Sequence, residues 1–293
     1  MSGCTLCPRR CQAIRTPETL GICGVPALPT LARAALHTGE EPCISGTRGS
    51  GTVFFSGCPL RCLFCQNHVI SHDCFGETVS IERLTDIFRE LVEQGAHNIN
   101  LVNPTHYVPA ILKALERYRP PVPIVYNTSG YERVETLRRL EGAVDVYLPD
   151  LKYIHAEPAE AYSGAADYPL MATQAILEMA RQTGEFQLDE HGMAIRGTMV
   201  RHLVLPGNTR ESLAVLDWLA DHLPDGVWVS LLFQYTPVVP LPQYPPLNRA
   251  LTKRECRKIW DHLLERGLTN GYVQELSSSG QQYIPSFDLT GIR

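Results

Sequence analysis

The stretch SGCPLRCLFCQN, Ser56 to Asn67, decides how the rest of the chain is read. It packs Cys58, Cys62 and Cys65 into eight residues and offers no fourth cysteine at a comparable distance. A cubane iron–sulfur cluster has four irons and normally takes four thiolates, so three clustered cysteines either recruit a distant fourth or leave one iron open. An open coordination position separates a catalytic metal from a structural one. Zinc is the structural alternative, and spacing alone does not exclude it. Four-ligand zinc sites, however, usually pair two short motifs, whereas C-x3-C-x2-C stands alone here, directly after the apolar run TVFFSG.

Outward from that run the chain keeps a rhythm. TVFFSG, NINLVNP, PIVYNTSG, VDVYLPDLK, RHLVLPGN, VWVSLLFQY and GYVQEL read as short buried strands, and IERLTDIFRELVEQG and VPAILKALERY between them carry helical periodicity. Strands alternating with helices predict a parallel sheet. About six βα units follow Ser50, short of the eight of a closed barrel, so the expected fold class is α/β, a partial (β/α)6-type open TIM barrel. EFQLDEHGMAIRGTMV interrupts the rhythm and reads as a small hairpin or loop insertion with Gly192 near its turn. In such barrels the carboxyl ends of the strands form the active face. Five sets of residues stand at those ends: Cys58; Asn103, Thr105 and His106; Asn127 and Ser129; Asp150 and Lys152; Gln234 and Tyr235. They are expected to converge on one site.

Residues 1–50 are rich in Cys, Gly and Pro and read as a short N-terminal metal-binding arm, followed by a barrel over 51–276 and a tail over 277–293. So short a piece rarely holds itself together by core burial alone. The ten cysteines are bunched, which favours metal ligation over a disulfide framework. Cys4, Cys7, Cys11 and Cys23 form a second group, expected to be a closed four-thiolate site for zinc or another iron–sulfur cluster. Cys43, Cys74 and Cys256 read as small buried or loop residues, Cys256 within a helix. A hydrophobic content of 44% with 19% charged residues fits a folded globular protein. The net charge of -5 gives no bulk electrostatic reason for a nucleic-acid or anionic-membrane partner. With no apolar leader and no apolar run long enough to span a bilayer, a cytoplasmic location is expected.

CPLRCLFC, with Phe64 before the last cysteine, resembles the C-x3-C-x-φ-C signature of the radical S-adenosylmethionine (SAM) superfamily. The order of strand-end motifs from Gly51 to Gln234 looks like its pyruvate formate-lyase activating enzyme branch. The resemblance implies a [4Fe–4S] cluster on Cys58, Cys62 and Cys65, its fourth iron chelated by the amino and carboxylate groups of S-adenosylmethionine. An electron from a donor such as flavodoxin or ferredoxin would cleave a carbon–sulfur bond of the sulfonium and yield a 5′-deoxyadenosyl radical. Residue by residue, DLK at Asp150 to Lys152 is similar to the pair that contacts the methionine zwitterion of the cofactor. NTSGY stands where the family has D-T-N-G, with Asn127 and Ser129 as replacements. VLPGN at Val204 to Asn208 looks like the family's fifth-strand turn, and Phe64 would pack on the adenine.

Two departures accompany these matches. G-G-E-P is absent, and Asn103, Thr105 and His106 stand in its place as cofactor-binding substitutes; Gln234 and Tyr235 replace a histidine after the sixth strand. The implied activity is hydrogen abstraction from a protein or peptide, as in glycyl-radical enzyme activases, and no side chain is assigned to the hydrogen transfer itself. A small-molecule substrate is the alternative. A non-catalytic electron carrier would not need the zwitterion-binding set. For a protein substrate, the tail and the loop TPVVPLPQYPPLNR should flank the open side rather than plug it.

Overall fold

The computed structural model describes residues 3–274 and 285–293. Among them ten strands form one sheet: β1 (Thr30–His37), β2 (Ser50–Phe55), β3 (Glu77–Thr78), β4 (Ile99–Val102), β5 (Ile124–Thr128), β6 (Val146–Pro149), β7 (Gln187–Leu188), β8 (Ala194–Leu203), β9 (Trp228–Leu232) and β10 (Gly271–Gln274). β2, β4, β5, β6, β8, β9 and β10 run parallel in that order. Helices fill the crossovers, and the row ends at β10 on one side and β3 on the other. This is the open (β/α)6-type partial barrel that the strand rhythm predicts.

Local sequence explains the elements. The helix Ile81–Glu93 starts at Ser80, whose hydroxyl accepts from the Arg83 N–H at 3.1 Å. Its Leu84, Ile87, Phe88 and Leu91 recur at helical spacing and bury against the sheet. The helix Lys253–Glu265 opens on a capping box of Thr252 and Glu255, and Cys256 is buried along it. Along the parallel strands a period of two sorts the side chains. Ile99, Leu101, Ile124 and Tyr126 pack into the same core as the helix Ile81–Glu93. The alternates Asn127, Arg201 and Ser230 face cavities inside the barrel.

The first 50 residues are not an arm apart from the barrel. β1 pairs antiparallel with β2, Ala34 opposite Val53. The short helix Pro42–Ser45 sets Cys43 and Ile44 against Val125, Val146, Leu148 and Met199. The reason is geometric: inward apolar groups of β5, β6 and β8 need a cover at the lower end, and this segment floors the barrel. The segment after Gly184 is a hairpin, as expected. The Asp189 carboxylate accepts from the His191 and Met193 N–H groups, both at 2.8 Å, with Gly192 at φ 78°. Its second strand nevertheless runs on as β8, so the segment is a strand extension more than an insertion. Of the predicted tail, residues up to 284 lie outside the described ones. Beyond them, the Leu289 N–H donates to Ala32 O at 3.0 Å and the Ala34 N–H to Thr290 O at 2.8 Å, so the tail lies along β1. Among the described residues no helix is long and apolar enough to cross a membrane.

Candidate active site

A cavity of about 270 Å³ opens at the carboxyl ends of the parallel strands. Cys58, Cys62, Phe64 and Cys65 line one side; Asn103, Asn127, Ser129, Asp150, Lys152 and Gln234 line the rest. Each of the five strand-end sets therefore contributes at least one member. Pro285 also touches this cavity, so the described start of the tail borders it.

The cysteine loop is shaped by its neighbours. Gly57 sits at φ 80°, and a Cβ there would come within 2.6 Å of Cys23 O and the Val25 side chain, so the close approach of the loop to the N-terminal segment requires glycine. The Leu63 N–H donates to Tyr162 O at 2.9 Å, and the Ser163 hydroxyl donates to Cys62 Sγ at 3.0 Å. Backbone N–H groups of Leu60 and Arg61 face Cys58, and that of Asn67 faces Cys65. Burial pushes the Cys58 thiol up to about 12, with Cys62 and Cys65 adding to the shift. It raises Cys62 and Cys65 as well. Three sulfurs lining one cavity, with N–H groups aimed at two of them, yet costly to ionise alone, fit a bound metal group that supplies positive charge.

Across the cavity Lys152 pairs with Asp150. Burial opposes the ammonium charge, but the Asp150 carboxylate outweighs it, and the pKa stands above the ordinary lysine value. Tyr168 fastens the loops that carry the pair: its hydroxyl accepts from the Lys152 N–H at 3.0 Å and lies 2.8 Å from Ser129 O and 2.9 Å from Asp150 O. Gly130 at φ 78° lets the β5 loop pass over Asp150, whose carbonyl oxygen a Cβ would meet at 2.1 Å. Ser129 Oγ is buried without a partner at hydrogen-bond distance. Phe64 packs edge-on toward Tyr162 at 6.4 Å between ring centroids. Tyr235 is buried behind it, donating to Leu247 O at 2.7 Å.

Thr105 and His106 are turned away from the cavity. Asn103 adopts a left-handed conformation, φ 59°, and Thr105–Tyr107 then coil into one tight turn, so Thr105 and His106, expected at the cofactor site, do not line the cavity. His106 Nε2 lies 2.9 Å from Ser56 O, and burial lowers its pKa to about 3, so the neutral ring donates to the start of the cysteine loop. Thr105 donates to Glu132, as does Thr128. Burial raises Glu132 to about 7. These residues brace the strand ends from behind. Asn103 alone of the three reaches the cavity, while its amide also donates to Gly57 O.

Strand-end reasoning missed Glu40, Arg201 and Tyr168. Arg201 pairs with both Glu40 and Glu41, with Nε 2.9 Å from Glu41 Oε1. Burial disfavours the charges of Glu41 and Arg201, but the Arg201 guanidinium holds Glu41 below the carboxylate range, and Glu41 and Glu40 hold Arg201 above its own. Glu40 Oε1 accepts from Asn100 Nδ2 at 3.0 Å and Asn127 Nδ2 at 3.3 Å. An odd-looking pair of acids just before the barrel was the available signal.

The N-terminal cysteines sit beside the cysteine loop. Arg9 Nε donates to Pro59 O at 2.9 Å, and Thr136 Oγ1 to Leu6 O at 2.7 Å. Burial pushes Cys7 up to about 12, with the Cys4 and Cys23 thiols adding to it. Backbone N–H groups of Ala13 and Ile22 face Cys11. Among the described residues no three or more His, Cys, Asp or Glu side chains are gathered to the spacing of one bound ion, so the fit of both cysteine sets rests on their donor chemistry.

Comparison with known proteins agrees with this geometry. MJ0674 of Methanocaldococcus jannaschii, described as an uncharacterized protein, is 31% identical over 265 residues, covering 87% of this chain and 72% of that protein. A radical SAM methyltransferase from Sphaerobacter thermophilus shares the fold, with a TM-score of 0.53 at 16% identity over 77% of this chain. The chain spans just under two thirds of that structure, 66%. Residues 52–219 match the model of the radical SAM superfamily. The chain therefore belongs to the radical SAM superfamily, enzymes that work with a [4Fe–4S] cluster and S-adenosylmethionine.

Proposed function

We propose that Cys58, Cys62 and Cys65 hold the [4Fe–4S] cluster, that Asp150 and Lys152 hold the amino-acid end of S-adenosylmethionine, and that the enzyme abstracts hydrogen from a protein or peptide, in the manner of the pyruvate formate-lyase activating enzyme branch. The observation that carries this reading is the meeting of three thiols, two of them buried and one partly buried, and one partly buried ion pair across a single cavity. When bound, cluster and cofactor supply hydrogen abstraction through reductive cleavage of the sulfonium. The chain's own residues orient and exclude: a carboxylate and an ammonium match a zwitterion, Asn127 and Ser129 offer neutral hydrogen bonds, and Phe64 offers an apolar face. The reductant is an electron-donor protein of the flavodoxin or ferredoxin type. The bunched cysteines, read as metal-binding thiolates, support a reducing, cytoplasmic setting. A small-molecule substrate is the second reading, favoured by the inner chamber described below.

The test is anaerobic reconstitution, reduction in the presence of S-adenosylmethionine, and assay of 5′-deoxyadenosine after incubation with deuterated protein and small-molecule candidates. Label arriving only from a small metabolite, with no protein-borne radical in electron paramagnetic resonance, would favour the second reading. Asp150→Ala should assemble a normal cluster and bind S-adenosylmethionine roughly ten- to hundredfold more weakly, as loss of a charge-assisted contact predicts. Unchanged affinity would remove Asp150 from the cofactor site.

Cys4, Cys7, Cys11 and Cys23 are proposed as a separate closed thiolate site, with zinc and iron–sulfur both compatible with their softness. A variant lacking Cys58, Cys62 and Cys65 should still carry thiolate-bound metal. A metal-free variant would refute the second site.

A further inference from the structure

A second chamber of about 380 Å³ lies beneath the first, between the floor segment and the β8–β10 edge. Glu40, Arg201, Leu232 and Gln234 line both, so the two are neighbours through one wall. Its volume is in the range of small-molecule sites. It is polar and charged where barrel interiors are usually apolar. Glu40 and Glu41 face one Arg201, which leaves one negative charge in excess; Asp150 and Lys152 cancel each other nearby. Glu40 uses Oε1 for two asparagine amides and Oε2 for Arg201, and a carboxylate has about four acceptor positions, so one remains. Ser230, fully buried and on the chamber wall, stands near Glu41 with its hydroxyl lacking a partner at hydrogen-bond distance.

We infer that this chamber is the substrate subsite and that it takes an ammonium group, with Glu40 as the specificity-determining residue. The inference rests on the proposed SAM-dependent reading of the outer cavity and adds the substrate class to it. A buried excess carboxylate charge is costly until a cation neutralises it. A donor-rich ammonium satisfies the spare Glu40 acceptor and the Ser230 hydroxyl together. A carboxylate or phosphate substrate would add like charge to the same wall and be rejected. The ammonium can belong to a small amine or to a lysine side chain or amino terminus of a peptide, which share this chemistry.

The test uses reconstituted enzyme saturated with S-adenosylmethionine, so that the cofactor's own amine is already placed. Butylamine, butanol and butyrate are compared by ligand-observed NMR, beside a Gly-Lys-Gly amide and its acetyl-lysine twin. Binding of butylamine in preference to butanol, with butyrate rejected, is the expected result and needs no variant. Glu40→Gln should weaken it about tenfold or more, the loss of a charged hydrogen bond. Ser230→Leu, which fills the chamber without changing its charge, should weaken it too. Preference for the lysine peptide assigns a peptide source, and preference for butylamine a small molecule. Equal binding of the amine and alcohol, or amine binding that disappears once the cofactor is bound, would overturn the inference. Formation of 5′-deoxyadenosine is measured on the same wild-type sample: its presence without amine binding sinks the subsite alone, and its absence sinks the underlying reading.

Discussion

Replacing Cys58, Cys62 or Cys65 by alanine is expected to abolish 5′-deoxyadenosine formation, because in the proposed site each thiol would hold a different corner of a cluster with only three protein ligands. The loss should be accompanied by loss of iron and sulfide from the site, while the folded chain persists. Cys58 and Cys62 are buried among apolar neighbours including Leu60 and Phe64, and Cys65 packs partly buried against them, so trimming a sulfur there costs about 1 kcal/mol of the typical point-mutation scale. Activity and stability thus separate: iron content and turnover collapse while the urea midpoint of the apoprotein moves little. Wild-type iron and turnover in any one of the three variants would remove that cysteine from the cluster.

Arg201→Ala should have the largest effect on stability. It removes the cation shared by Glu40 and Glu41 and leaves two carboxylates facing each other inside the barrel. Breaking a buried pair from one side typically costs about 3–5 kcal/mol, because the remaining charge has lost its compensation. The expected readout is a large fall in the urea midpoint. Adding Glu41→Gln to the variant should restore part of it, a non-additivity that a double-mutant cycle measures directly. A loss under about 1 kcal/mol would mean that water screens the network as it does a surface pair.

The sequence carried some of this architecture plainly and hid the rest for identifiable reasons. Asp150, Lys152, Asn127 and Ser129 could be placed because each directly follows an apolar run, and chain direction alone carries a strand-end residue to the active face. Thr105 and His106 follow a strand too, but Asn103 takes a positive φ that no composition or periodicity announces, and the two side chains swing behind the loop. β1 was concealed by its setting. TLARAALH follows a Cys- and Pro-rich stretch and pairs antiparallel, outside the βα rhythm that guided the reading. Arg201 sits within a recognised strand run, yet its partners lie 160 residues earlier for Glu41 and 161 for Glu40. Contacts so distant along the chain leave no local pattern to read.

That separation has a consequence for how the molecule assembles. The floor segment emerges early in synthesis, but its ionic clasp cannot close until β8 exists, after most of the parallel sheet has been made. Contacts of such long sequence span pay their loop-closure entropy before they return any stability, and they slow folding. The barrel floor should therefore be among the last regions to acquire protection from hydrogen exchange, later than the local hairpin of β7 and β8. Until that moment Glu40 and Glu41 remain hydrated, so the nascent chain carries its costliest buried charges in water until their counter-ion arrives.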